Sequence, residues 1–150
     1  MKSALKNKEE KLKDHDNLFW AYLAGMMDAN GCIMITKLKD PKASRGFSWQ
    51  VNVRVGCKNG SYLEGLKESI GGCISKSGNS HQWRIGGNTA RVVLSKVFPY
   101  LIIKQKQCVW AIKALELTRG HRKRGFDSIR TDKCLNTLCL KISTFNQKGI

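Results

Sequence analysis

The chain has 150 residues, enough for one compact domain, and 41% of them are hydrophobic, so it can bury a core and is not a disordered tail. It carries 27 Lys and Arg against 11 Asp and Glu, a net charge of +16 that favours a polyanionic partner, above all nucleic acid, and counts against a structural protein without one. No stretch is apolar for about 18 residues and no apolar run follows the Met-Lys-Ser-Ala-Leu-Lys start, so the expectation is an intracellular protein of cytoplasm, nucleoid or organelle, neither secreted nor membrane-bound.

Residues 1–15 are mostly charged and are expected to form a basic arm, leaving 16–150 as a single domain. Asp16 is placed to cap a helix from Asn17 to about Ala29, whose apolar face would be Leu18, Phe19, Tyr22, Leu23 and Met26. Ala21, Gly25 and Ala29 recur at i, i+4, i+8, a narrow stripe that lets another backbone come close. Cys32–Leu38 reads as a strand, and Pro41, Ser44 and Gly46 make the following turn. The clearest alternation comes next: Ser48, Gln50, Asn52 and Arg54 on one face, Trp49, Val51, Val53 and Val55 on the other. Leu63, Leu66, Lys67 and Ile70 mark a short helix closed by Gly71-Gly72. Cys73–Ser77 and Gln82–Ile85 form a hairpin across Gly78-Asn79-Ser80. Asn88 or Thr89 is expected to cap a helix through Val92, Val93, Val97 and Phe98, stopped by Pro99. A helix over about Ile103–Thr118, a basic loop Arg119–Arg124 and a last helix over about Asp132–Phe145 follow.

The order is αββαββα with extra C-terminal helices, an α+β plan around an antiparallel sheet. One sheet face packs on helices; the other displays Ser, Gln, Asn and Arg, the residues that hydrogen-bond base edges. Six cysteines stand at 32, 57, 73, 108, 134 and 139 without a C-x-x-C pair, and His15, His81 and His121 complete no zinc pattern. A reducing compartment and no structural metal are expected.

The run from Ala21 to Ile33 (AYLAGMMDANGCI) resembles the LAGLIDADG box of homing endonucleases. Downstream, VNVRVGCKNGSYLEGLKESIGGCISKSGN, HQWRIGG and FPYLIIKQKQCVWAI are similar to the second strand, connecting helix, hairpin and late helix start of small single-motif members. The resemblance spans roughly residues 17–145 in consistent order. It implies the LAGLIDADG fold, with a saddle-like antiparallel sheet in the DNA major groove. It also implies a homodimer joined through Ala21, Gly25 and Asp28 on a pseudo-palindromic double-stranded site, and an intron-encoded, Mg²⁺-dependent nuclease activity on both strands.

The last carboxylate of the motif would hold the metal, together with the backbone carbonyl of Ala29. Here that position is Asn30, which brings no negative charge to a hard cation, so the active site is degenerate and activity is expected to be reduced or lost. Lys104 matches the basic residue near the cleavage site; Val55 and Asn59 fall where other members carry water-positioning side chains. The implied nucleic-acid contacts are Thr36, Ser48, Gln50, Asn52, Arg54, Ser75, Ser77, Gln82 and Arg84. Lys37, Lys39, Arg45, Lys76 and the loop His121-Arg122-Lys123-Arg124 are phosphate candidates. The alternative is a non-catalytic descendant binding structured RNA or acting as a regulator: a maturase or ribonucleoprotein component. An A-form major groove is too narrow for a ribbon, which counts against RNA.

Overall fold

The computed structural model describes residues 15–120 and 128–147. The expected arm at 1–14 and the basic run His121–Arg124 lie outside the described residues. Asp16 opens helix α1 (Asn17–Asn30), its carboxylate accepting the Phe19 N–H at 2.9 Å. The helix runs straight into strand β1 (Gly31–Lys39). Only glycine fits that junction, because a Cβ at Gly31 would stand 2.5 Å from the Met27 carbonyl oxygen. There follow β2 (Phe47–Cys57), α2 (Gly60–Ile70), β3 (Cys73–Ser77), β4 (Ser80–Gly86), α3 (Gly87–Val97), a 3₁₀ turn (Phe98–Tyr100), α4 (Gln105–Gly120) and α5 (Ser128–Gln147). The strands form one antiparallel sheet in the order β1-β2-β4-β3.

The core lies between one face of this sheet and the helices. Ile33, Ile35, Val51, Val53, Val55, Trp83 and Ile85 are buried with Leu23, Leu63, Leu66, Val93, Leu94, Ala111, Leu135 and Ile142. Period-2 alternation decides which strand residues enter it. For α1 the expected apolar face is corrected: Trp20, Leu23, Ala24 and Met27 are buried, whereas Leu18 is 78% and Tyr22 61% exposed. The helix is apolar nearly all round, so its periodicity does not choose the buried side.

Two other boundaries move. Helix α3 starts at Gly87, so Asn88 and Thr89 sit inside its first turn, where the Asn88 side chain accepts from the Arg91 guanidinium at 3.0–3.1 Å. Helix α5 begins earlier than Asp132, whose carboxylate instead accepts from Trp49 Nε1 at 3.1 Å and pairs with Arg45. Farther along, the Cys139 thiol donates to the Ile35 carbonyl (3.0 Å) and Asn146 Nδ2 to the Ile33 carbonyl (2.9 Å). Helix α5 thus lies along β1 and covers what would be an open sheet edge.

Gly72 gives a direct test of the β3–β4 packing. Its φ is +94°, and a Cβ there would lie 2.5 Å from the Arg84 carbonyl oxygen and 3.0 Å from Trp83 Nε1. Gly72→Ala is expected to destabilise the fold by about 2–3 kcal/mol, combining left-handed strain with overpacking. Urea unfolding measures it; a loss below about 0.5 kcal/mol would contradict the packing. No helix among the described residues is long and apolar enough to cross a membrane.

Candidate nucleic-acid interface

The register assembles the open sheet face. Thr36 stands opposite Gln50, Arg54 opposite both Cys32 and Arg84, Asn52 opposite Gly86, Ser75 opposite Gln82 and Ser77 opposite Ser80. Because side chains alternate, Thr36, Ser48, Gln50, Asn52, Arg54, Ser75, Ser77, Gln82 and Arg84 share one face. All nine are exposed or half-buried, and none of the four strands contains an acidic residue. Such a surface offers amide, hydroxyl and guanidinium groups with no carboxylate to repel a polyanion.

Lys37 is corrected. It stands on the other side of β1, and its ammonium lies 3.9 Å from the Phe47 ring centroid and 5.7 Å from that of Trp49. Alternation already separates it from Thr36, so its charge and not its position suggested nucleic-acid contact. Lys76 is separated from Ser75 and Ser77 in the same way.

At the end of α1, Asp28 does something no local pattern shows. Its carboxylate accepts the backbone N–H groups of Ile102 (2.7 Å), Ile103 (3.2 Å) and Lys104 (3.0 Å). Lys104 returns the contact, its Nζ donating to the Asp28 carbonyl at 2.5 Å. Residues 101–104 (Leu-Ile-Ile-Lys) include no Ser, Thr, Asp or Asn to cap α4, so the helix borrows its cap from α1. This also moves the α4 start from Ile103 to Gln105. Asp28 was expected at a dimer seam; its carboxylate is turned into its own chain. The missing local cap is the one sequence signal that could have exposed this role.

Asn30 is exposed at the last position of α1, beside exposed Ala29. These two supply an amide oxygen and a carbonyl, whereas the Asp28 carboxylate is already held by three N–H groups. Among the described residues no group of three or more His, Cys, Asp or Glu could hold a metal. The donor set does not fit Mg²⁺, a hard cation that wants carboxylate charge. Two cations flank this end of the helix: the Lys104 ammonium on the Asp28 carbonyl, and Arg54 opposite Cys32 in the strand register. Burial pushes the Cys32 thiol pKa up, and the charges of Arg54 and then Lys104 oppose that rise, so both act on the same sulfur. Arg54 Nε is itself buried without a hydrogen-bond partner.

Two further expected positions leave the site. Val55 is wholly buried in the core, and the Asn59 side chain caps α2 by accepting the Ser61 N–H at 3.0 Å. On the outer side of α1, Gly25 is exposed, and a Cβ there would meet nothing within 4 Å. Ala29 and Tyr22 are exposed beside it, and Ala21 is half-buried. The sequence did not single out Ile102, 85% exposed, or Ile103, both anchored to α1 by Asp28.

A four-stranded antiparallel sheet, helices on one side and a polar face on the other, with the motif helix feeding β1, defines an α+β domain of the homing-endonuclease fold. The family model described as LAGLIDADG endonuclease matches residues 23–108, more than half of the chain, and the chain belongs to that family. The homing endonuclease I-CvuI, in complex with its target in the presence of calcium, superposes with a TM-score of 0.76 at 20% identity, covering 87% of this chain and 83% of that one. An archaeal intron-encoded homing endonuclease, I-Vdi141I, complexed with DNA, gives 0.72 at 18% identity, covering 87% and 86%. I-SmaMI bound to cleaved DNA gives 0.64 at 27% identity, covering 83% of this chain and 43% of its own. No curated protein matches the chain.

Proposed function

We propose that the chain binds a long, pseudo-palindromic DNA duplex as a homodimer, each copy laying its sheet in the major groove, with strand cleavage reduced or absent. The observation that carries this reading is the set of nine polar side chains gathered on one acid-free sheet face. A strand ribbon fits the roughly 12 Å major groove, where donors and acceptors distinguish all four base pairs. The similar proteins I-CvuI and I-Vdi141I are complexes with DNA, which supports a duplex over structured RNA. A DNA ligand places the protein's work inside a cell or organelle.

Gly25 supports the dimer. A glycine in mid-helix costs about 1 kcal/mol relative to alanine. Nothing among the described residues requires it, since a Cβ would meet none of them within 4 Å. Close approach of a second α1 accounts for it, and two-fold pairing matches a pseudo-palindromic site. Ala21 belongs to the same contact. Cutting in the family's manner would use Mg²⁺ as Lewis acid and water activator. The Asn30 amide and Ala29 carbonyl are poor holders for that ion, so binding outlasts cleavage in this reading.

The test is selection of duplexes from a random library, followed by stoichiometry of the complex by light scattering. Two chains per duplex are expected. Gly25→Leu should leave each chain folded yet break the dimer and weaken duplex binding at least ~100-fold, the scale of losing several kcal/mol of interface. A Gly25→Leu protein that dimerises and binds like the parent would refute the seam.

A further inference from the structure

We infer that the end of α1 holds a DNA phosphate directly, through Arg54, Lys104 and the Asn30 amide, in the place where a divalent cation would otherwise be bound. The inference rests on the duplex binding proposed above and concerns what the same site does with its charge. Arg54 is the first reason. Its Nε is buried with no partner, and it stands directly opposite Arg84 in the β2–β4 register. Like charges directly opposite on a sheet repel, and no strand supplies an acidic residue to separate them. An anion seated against the two guanidinium groups would relieve both problems, because a guanidinium fork matches the geometry of phosphate oxygens.

Lys104 is the second reason. Its backbone N–H is held by Asp28 Oδ1 at 3.0 Å and its ammonium by the Asp28 carbonyl at 2.5 Å. The charge is therefore positioned, and only one of its three ammonium donors is used. Arg54 stands opposite Cys32, two residues past Asn30, and the Lys104 ammonium rests on the Asp28 carbonyl, two residues before it, so the two cations flank the motif's end.

The opposing charge is small. The carbonyl end of a helix carries about half a negative charge. The Asp28 carboxylate is satisfied by three backbone N–H groups. The three positive charges of Arg54, Lys104 and Arg84 outweigh the single charge of Asp28 and that half charge together. A divalent cation entering here would meet repulsion and only neutral donors. A phosphate would meet attraction, and the Asn30 NH₂ can donate to it as well.

The experiment uses the full chain and its selected duplex, with Kd measured over a range of salt in EDTA, Mg²⁺ and Mn²⁺ at matched ionic strength. Electron paramagnetic resonance counts Mn²⁺ bound to the complex. Expected are Kd values in EDTA and Mg²⁺ within about twofold and no stoichiometric Mn²⁺, as direct phosphate contact requires. Arg54→Gln and Lys104→Gln should each weaken binding about tenfold and lower the salt slope by about 0.9, the release of one phosphate contact. Arg54→Lys should keep the slope, which separates lost charge from lost folding. One Mn²⁺ per chain, or slopes unchanged in both Gln variants, overturns the inference. Gln50→Glu reports on the duplex reading separately: it should abolish binding, and if it does not, the sheet-face reading fails whatever the metal count shows.

Discussion

Asn30→Asp is expected to give Mg²⁺-dependent cutting of the selected duplex, at least ~100-fold above the parent chain, a scale typical for restoring one charge-stabilising group in an active site. The parent offers an amide at the end of α1, and among the described residues the one carboxylate there, Asp28, is held by three N–H groups. A carboxylate at position 30 supplies the negative charge a hard cation needs, and in a homodimer it does so twice. Stability is a minor cost: Asn30 is exposed, and one extra negative charge at a helix C-terminus costs about 0.3–1 kcal/mol. Lys104 beside it reduces that repulsion. The same substitution should bring stoichiometric Mn²⁺ binding, because it gives the cation an anionic oxygen ligand that the amide does not. Gel assays of linear and nicked product from freshly purified protein decide the matter. Equal cutting by parent and variant would show that the carboxylate position is not what limits the reaction; binding by both with cutting by neither would place the defect elsewhere.

Asp28→Ala is expected to lower stability by about 2–3 kcal/mol. A hydrogen bond to a charged group contributes about 1.5–3 kcal/mol, and Asp28 accepts three. Two of these donors sit on exposed residues, Ile102 and Ile103, where water replaces part of what is lost, so the sum is well below three full bonds. For a chain of this size the melting temperature should fall by about 5–10 °C. Asp28→Asn keeps one acceptor oxygen and should lose roughly half as much. Asn30→Ala, two residues on and exposed, should change stability little and serves as the control. A change below 0.5 kcal/mol in Asp28→Ala would mean that α4 does not depend on the borrowed cap. Because Lys104 is positioned through the same residue, Asp28→Ala should also weaken duplex binding, linking the fold of the late helix to the charge of the site.

These results divide according to how far apart the interacting residues lie in the chain. Alternation from Ser48 to Val55 is local, and it placed Gln50, Asn52 and Arg54 on one side and Val51 and Val53 in the core without help from any distant residue. Asp16, Gly31 and Gly71-Gly72 mark element ends for equally local reasons, and the motif run into β1 gave the family. The parity of Lys37 is legible in the same way and sets it off that face, so only its charge makes it a phosphate candidate.

Other features needed the assembled molecule. α1 is apolar on nearly every side, so only packing chose Trp20, Leu23 and Met27 for the core and left Leu18, Tyr22 and Gly25 outside. The register of β2 against β4 set Arg54 opposite Arg84. The fold alone brought Asp28 to the start of α4 and α5 to the edge of β1. By itself the sequence determined the elements, the family and the polar face, because helix and strand periods are written into neighbouring residues. Only the tertiary structure decided which carboxylate was already taken, which cations share the motif's end and which face of α1 stays open, because those depend on contacts between residues far apart in the chain.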